Sequence, residues 1–260
     1  MNTLANANSL QDASFDPTKA YSYRVVAVNQ AVESGSTGET VSDQVQVGMQ
    51  APGALNVIFN AIAPNPNNSI TLNWTDQSSG ETGYEVSRST ATINKITGAI
   101  SWSAFSKLPL STSTLAANLN TYLNTPVPTG ALYQFKVNAI TGTTKGPIST
   151  SAPIATSTVL PTLAQLQANG VNTKTAINFQ WQVSTSGLVT HYEVQRCDGI
   201  AGPASNWTTL PKVNNGVNST KYLDSGLTTK TTYSYRVRAV NSLIPNLVSA
   251  WSAAYTASTL

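Results

Sequence analysis

Three stretches of the chain alternate apolar and polar residues with a period of two. Their even-spaced positions are Tyr21, Tyr23, Val25 and Ala27; Tyr133, Phe135, Val137 and Ala139; and Tyr233, Tyr235, Val237 and Ala239. Ser22 and Arg24, Gln134 and Lys136, and Ser234 and Arg236 lie between them. Successive side chains of an extended strand point to opposite faces. Each stretch therefore predicts a half-buried antiparallel strand with its aromatic set inward. Three copies of one strand predict a string of like modules rather than a single enzyme fold.

The flanks keep the same register. Tyr122 and Tyr222 lie 11 residues before the second and third strand tyrosines, and Leu10 holds that place before Tyr21. An apolar residue (Phe15, Val127 or Leu227) comes six positions before each tyrosine, followed by turn-like residues. Asp12, Asn124 and Asp224 share one position ahead of that turn, where an Asx-type turn explains them better than calcium. Ser42, Ser151 and Ser252 recur about twenty residues downstream, within another extended segment.

Further upstream only the second and third copies match. Ile70, Leu72 and Trp74 correspond to Ile177, Phe179 and Trp181. Tyr84-Glu85-Val86-Ser87-Arg88 then corresponds to Tyr192-Glu193-Val194-Gln195-Arg196. Trp102 and Trp207 follow, read as one matching position on a further short strand. Each full copy holds about seven short strands separated by Gly, Pro, Asn and Ser, which predicts an all-β sandwich.

These motifs, in this order and over nearly the whole chain, resemble the fibronectin type III family. The resemblance implies tandem immunoglobulin-like β-sandwiches with sheets A-B-E and C′-C-F-G. It also implies that Tyr21, Tyr133 and Tyr233 are tyrosine corners bonded to the turn between strands E and F. The expected domains are 1–50, a partial copy with strands E, F and G only; 51–159; and 160–260. A partial copy of this size lies at the edge of independent folding. It is read as part of a longer protein or, alternatively, as a sandwich completed in trans by a neighbouring chain.

Composition narrows the function. Only 10% of residues are charged, 40% are hydrophobic and the net charge is +3, with no basic run. That excludes a dense footprint for nucleic acid. The single cysteine, Cys197, forbids an intrachain disulfide and reads as a semi-buried thiol. No apolar run approaches the roughly 20 residues needed to cross a bilayer, so no membrane insertion is expected. The polar composition suggests an extracellular or cell-surface location, with any secretion signal upstream.

Candidate chemistry is sparse. His191 is the only histidine, and its phase points it to solvent. Glu85 and Glu193 occupy one position in separate modules, too far apart for a glycosidase pair. No catalytic residue, cofactor or metal site is expected, and the chain is read as a non-enzyme. Binding leaves more candidates. Leu243, Ile244, Leu247 and Val248 form an apolar loop between strands F and G, followed by Trp251. They are a candidate interaction surface, and the competing reading packs the loop on the preceding module. Trp102 and Trp207 are candidate exposed aromatics for sugar stacking. The second module also carries extra residues between Arg88 and Tyr122, including Leu115 and Leu119, read as a longer excursion from C′ to E.

The leading expectation is a structural spacer and protein-interaction region. Its partners would be other domains of the same protein or other surface proteins. The alternatives are a carbohydrate-binding accessory of a glycan-degrading enzyme, using Trp102, Trp207 and Trp251, and self-association into a fibre or surface layer through the first domain.

Overall fold

The computed structural model describes residues 9–16, 19, 21–27, 40–41, 45–61, 68–108, 115–211 and 216–260. The regular elements among them are all strands. Ser42, expected to match Ser151 and Ser252, lies outside the described residues.

The first segment holds β1 (Tyr21–Tyr23), β2 (Val26–Ala27), β3 (Thr40–Val41) and β4 (Val45–Val47). β1 pairs with β4 and β2 with β3, one antiparallel hairpin interrupted at Arg24 and Val25. The expected strand E does not form, since residues 9–16 carry only a turn. Val25 is 72% exposed, although its phase groups it with Tyr21 and Tyr23.

The second unit contains β5 (Gly53–Asn60), β6 (Ser69–Thr75), β7 (Gly83–Ile93), β8 (Ile100–Trp102), β9 (Ser106–Lys107), β10 (Leu115–Ala116), β11 (Thr121–Asn124), β12 (Leu132–Thr141), β13 (Thr144–Thr150) and β14 (Ile154–Ala155). One sheet runs β11-β6-β5 and the other β10-β7-β12-β13, with β8 and β9 on β7 and β14 on β12. The third unit contains β15 (Gln167–Ala168), β16 (Ala176–Gln180), β17 (His191–Asp198), β18 (Thr208–Thr209), β19 (Lys221–Ser225), β20 (Thr232–Val240) and β21 (Tyr255–Ser258). Its sheets run β15-β16-β19 and β18-β17-β20-β21. Both units therefore have the expected E-B-A and C′-C-F-G orders.

The period-two pattern produces this layering directly. Ile70, Leu72 and Trp74 on β6 turn inward to meet Tyr84 and Val86 on β7 and Phe135 and Val137 on β12. Ile177, Phe179 and Trp181 on β16 meet Tyr192, Val194, Tyr235 and Val237 in the same way. Each such buried side chain contributes about 1.5–3 kcal/mol relative to exposure. Ser234 departs from the pattern. Its phase is outward, yet it is fully buried, because residues 199–201 and Thr256 cover it and bond its hydroxyl.

The end of the first segment belongs physically to the second sandwich. Met49 is fully buried in that core. Gly48 and Gln50 donate their N–H groups to the hydroxyls of Ser79 and Ser78. The hydroxyl of Ser78 returns a bond to the Gln50 carbonyl.

The extra residues of the second unit lie elsewhere than expected. Leu108 and Leu210 each donate to a β7 or β17 carbonyl, at Val86 and Val194, and so mark one position. Six of the second unit's eight extra residues fall before that point. They extend β7 past Thr90 and return as β8, with Ala91 opposite Trp102. The lengthened piece is a hairpin between C and C′, because the added residues found antiparallel partners in each other.

Candidate functional site

The strand tyrosines hold the turns before them in two of the three copies. Asp16 N–H donates to the Tyr21 hydroxyl and Thr228 N–H to that of Tyr233, each at 3.2 Å. The corresponding residue before Tyr133 is Pro128, which has no N–H to give. Tyr133 packs its ring beneath the Arg88 guanidinium, 4.6 Å from the centroid, as Tyr233 does beneath Arg196 at 5.3 Å.

The shared acidic position proves to be a link between strands. Asp224 accepts hydrogen bonds from the Tyr235 hydroxyl at 2.8 Å and from Arg196 at 3.0 Å. Burial works against the Arg196 charge, but the bond to Asp224 outweighs it and lifts the pKa above its ordinary value. Burial, and then the Asp224 bond, raise the pKa of Tyr235 well above the ordinary tyrosine range. In the first segment Tyr23 donates to Asp12 at 2.7 Å, and this bond pushes its pKa up to about 12. Asp12 also makes the expected Asx-type bond to Ser14 N–H. In the second unit Phe135 replaces the tyrosine and Asn124 the aspartate, and the Asn124 Nδ2 has no partner. The signal was available in sequence: tyrosine goes with aspartate, phenylalanine with asparagine.

The outer face of the third unit's larger sheet carries a stacked ladder. The Arg236 guanidinium lies 4.2 Å from the Trp207 ring centre and 4.6 Å from that of Trp251. Arg238 lies 4.6 Å from Trp251 on the same ladder and donates to Glu193. Arg236 also donates twice to the Gln195 side-chain oxygen. Burial and the neighbouring Arg238 charge lower the Arg236 pKa. Trp207 and Trp251 are thus half-buried partners of arginine rather than a bare aromatic row.

Trp102 is not the counterpart of Trp207. Lys107 pairs with Ser87 as Thr209 pairs with Gln195, which puts Phe105 in the Trp207 position. Lys136, at the Arg236 position, lies 4.1 Å over Phe105. Beside it, Glu85 takes Lys145 at 2.5 Å and Lys107 at 3.3 Å.

Trp102 belongs to the extended hairpin, and that hairpin reaches the third unit. Ala91, Ile100 and Trp102 pack against the third unit's core cluster, which also takes in Leu132, Ala155 and Leu160. At the tip, Asn94 caps its own turn by accepting from Ile96 and Thr97 N–H. Asn218 N–H donates across the junction to the Lys95 carbonyl at 2.9 Å. Two glycines permit this approach. A Cβ on Gly98 would lie 2.1 Å from the Thr190 carbonyl oxygen, and one on Gly216 would lie 2.4 Å from that of Ile96. His191 is 9% exposed rather than solvent-facing, and its Nδ1 shares a 3.0 Å hydrogen bond with the Thr190 hydroxyl.

The apolar loop also turns toward the junction. Leu243 and Ile244 pack on the same cluster, and Leu247 is buried within it. Asn241 shapes the loop by accepting from the N–H groups of Leu243 and Ile244 while donating to the Leu188 carbonyl. The Val248 carbonyl accepts from Leu160 N–H in the link between units. Leu247 therefore offers no surface to a partner. Cys197 is buried.

Residues 161–249 match the family model described as fibronectin type III domain. A search of curated proteins finds no match. Among solved structures, the chain is similar to a two-domain fibronectin type-III segment of chicken tenascin. That similarity has 15% identity and a TM-score of 0.38, and covers 81% of this chain and 100% of the other. It is also similar to the FN1-FN3 domains of chicken CNTN1, with 18% identity and a TM-score of 0.34, covering 92% of this chain and 77% of the other. The match identifies residues 161–249 as a fibronectin type III domain, and the second sandwich has the same strand order.

Proposed function

We propose that the chain is a non-catalytic spacer and protein-interaction region of a larger extracellular or surface protein, and that its second and third sandwiches act as one stiff rod. The junction carries this reading. A flexible string would need only the link near Leu160, whereas here a hairpin from one sandwich is seated on the next through apolar contact, a backbone bond and two glycines. Relative motion of adjacent domains is the default unless their interface is large and apolar. The ladder supports the same reading, since it spends the tryptophans on the sheet itself.

Small-angle scattering of the full chain tests this. The expected result is one elongated shape for residues 51–260. Replacing residues 92–101 by a two-residue Asn-Gly turn should broaden it into a hinged ensemble. An unchanged profile after that replacement sinks the reading.

A second reading concerns the first segment. Among the described residues β1 pairs only with β4, whereas β12 and β20 are paired on both sides. A strand from another chain at that edge would give oligomers that grow with concentration and disappear on removing residues 1–50. Sedimentation at rising concentration measures this, and monomers throughout would refute it.

A further inference from the structure

The third unit's larger sheet carries three arginines, Arg196 on β17 and Arg236 and Arg238 on β20. Two of them meet a carboxylate: Arg196 meets Asp224 at 3.0 Å and Arg238 meets Glu193 at 2.7 Å. Arg236 does not. Its Nε and Nη2 both donate to the amide oxygen of Gln195, at 2.8 and 2.6 Å, and that amide's nitrogen donates to the Thr209 hydroxyl. An amide oxygen leaves the guanidinium charge uncompensated, although the group lies between the rings of Trp207 and Trp251. Burial and the neighbouring Arg238 already work against that charge.

The same stack holds donors that the protein does not use. Arg236 Nη1 and the indole Nε1 atoms of Trp207 and Trp251 make no hydrogen bond among the described residues. Unpartnered side-chain atoms that are closed to water are confined, among those residues, to Trp74, Asn124 and Trp181. The three donors of the stack are therefore open to solvent, on residues that are otherwise half-buried. The second unit has no such array. Phe105, Lys136 and Ser87 stand at the places of Trp207, Arg236 and Gln195, and Phe105 has no N–H to offer.

The stack defines the partner's chemistry. A carboxylate at Arg236 would form the charge-assisted bond that the two neighbouring arginines already have. The flanking indoles offer apolar surface to the residues beside that carboxylate. Tryptophan and arginine are the residues on which protein interfaces concentrate their binding energy. This one stack holds two of the chain's five tryptophans and two of its five arginines. A phosphate polymer is bound through many cations at once, whereas the stack has one uncompensated charge.

We propose that the outer face of the third sandwich binds an acidic segment of a partner protein. An aspartate or glutamate carboxylate sits on Arg236 between Trp207 and Trp251, and its apolar neighbours rest on the two rings. This deepens the interaction half of the proposed function and rests on it. A failed titration removes this site alone, because the rod is tested by scattering.

The test uses the full chain labelled with ¹⁵N, whose five tryptophans give five indole N–H resonances. Trp207→Phe and Trp251→Phe identify the two of the stack. The probes are N-acetyl-Leu-Glu-Leu-amide, its glutamine twin and sodium sulfate. The acidic peptide should move both resonances with saturation at a Kd on the order of 1 mM, the range expected of a fragment this small. The glutamine twin and sulfate should bind about fivefold or more weakly, and the other three resonances should stay fixed. Gln195→Glu supplies the missing carboxylate from within and should weaken the peptide about tenfold without lowering Tm. Arg236→Met removes the guanidinium and should weaken it as much, which keeps the proposal testable if Gln195→Glu unsettles the sheet. Resonances of the stack unmoved by the acidic peptide overturn the site. So does equal movement of the other three, or undiminished binding to Arg236→Met or to a folded Gln195→Glu. Equal affinity for the glutamine twin, or for sulfate, overturns the assigned partner.

Discussion

The second and third sandwiches tie their two sheets together in different ways. The third uses a hydrogen-bonded ionic link, with Asp224 taking Tyr235 from β20 and Arg196 from β17. The second puts Phe135 and Asn124 at those places; an arginine over the strand tyrosine, Arg88 on Tyr133 and Arg196 on Tyr233, is common to both. Their outer faces differ likewise. A four-member stack of tryptophan and arginine covers the third, while Phe105, Lys136 and the Lys107–Glu85–Lys145 triad cover the second. Interacting residues change as sets, so one unit cannot receive a single residue from the other without leaving a buried group unpaired.

The junction should give the largest response. Gly98→Val drives a side chain into the Thr190 carbonyl and adds strain at φ +71°. A loss of about 3 kcal/mol and separation of one unfolding transition into two are expected by calorimetry. Gly199→Val is the matched control in the third unit, at φ +74° with open space around it. It should lose only the strain, about 1 kcal/mol. Equal losses would remove the junction as the cause.

Next comes the link between sheets. Asp224→Asn should cost about 2–3 kcal/mol in chemical denaturation, since it weakens bonds from both Arg196 and Tyr235. In the second unit, Phe135→Tyr alone should destabilise by about 1–2 kcal/mol by burying an unmatched hydroxyl. Adding Asn124→Asp should recover about 1 kcal/mol. A simple sum of the two single effects would refute the coupling.

The outer faces follow. Arg236→Met removes two stacked contacts and should cost about 1–2 kcal/mol, against about 0.5 kcal/mol for Lys136→Met. Urea melts of the two variants compare them directly.

The smallest effect depends on pH. Burial pushes the Glu85 pKa up, but Lys145 and Lys107 outweigh it and hold it below the ordinary glutamate value. A depressed folded-state pKa contributes stability above the unfolded value, and that contribution is lost as pH falls through the folded value. Lys145→Met should therefore lower stability by less than about 1 kcal/mol at pH 7, because the lysine is 58% exposed. At pH 2 it should make no difference. A gap in Tm that persists at pH 2 would show that packing, not charge, is responsible.

Much of this frame is legible in the chain itself. Alternation at Ile70 to Trp74 and Tyr233 to Ala239 specifies which side chains turn inward, because a strand has only two faces. The hairpin was not legible, because its register depends on which partner the extra residues find. Tryptophan at 102 drew attention to chemical identity, while the equivalent position, Phe105, is set by pairing with β7. His191 is buried although its phase is outward, which no local period records. The ties at Asp12 and Asp224 were written in the sequence, but only as a correlation with Tyr23 and Tyr235.

The seated hairpin makes the two sandwiches unequal beads. The third unit's own crossing from β17 to β18 is six residues shorter up to Leu210 and carries no comparable arm. Exchanging the order of the beads would keep each sandwich's own strands, yet leave the joint unbraced. Stiffness here is a property of sequence order, so a permuted array should bend where the native one holds straight.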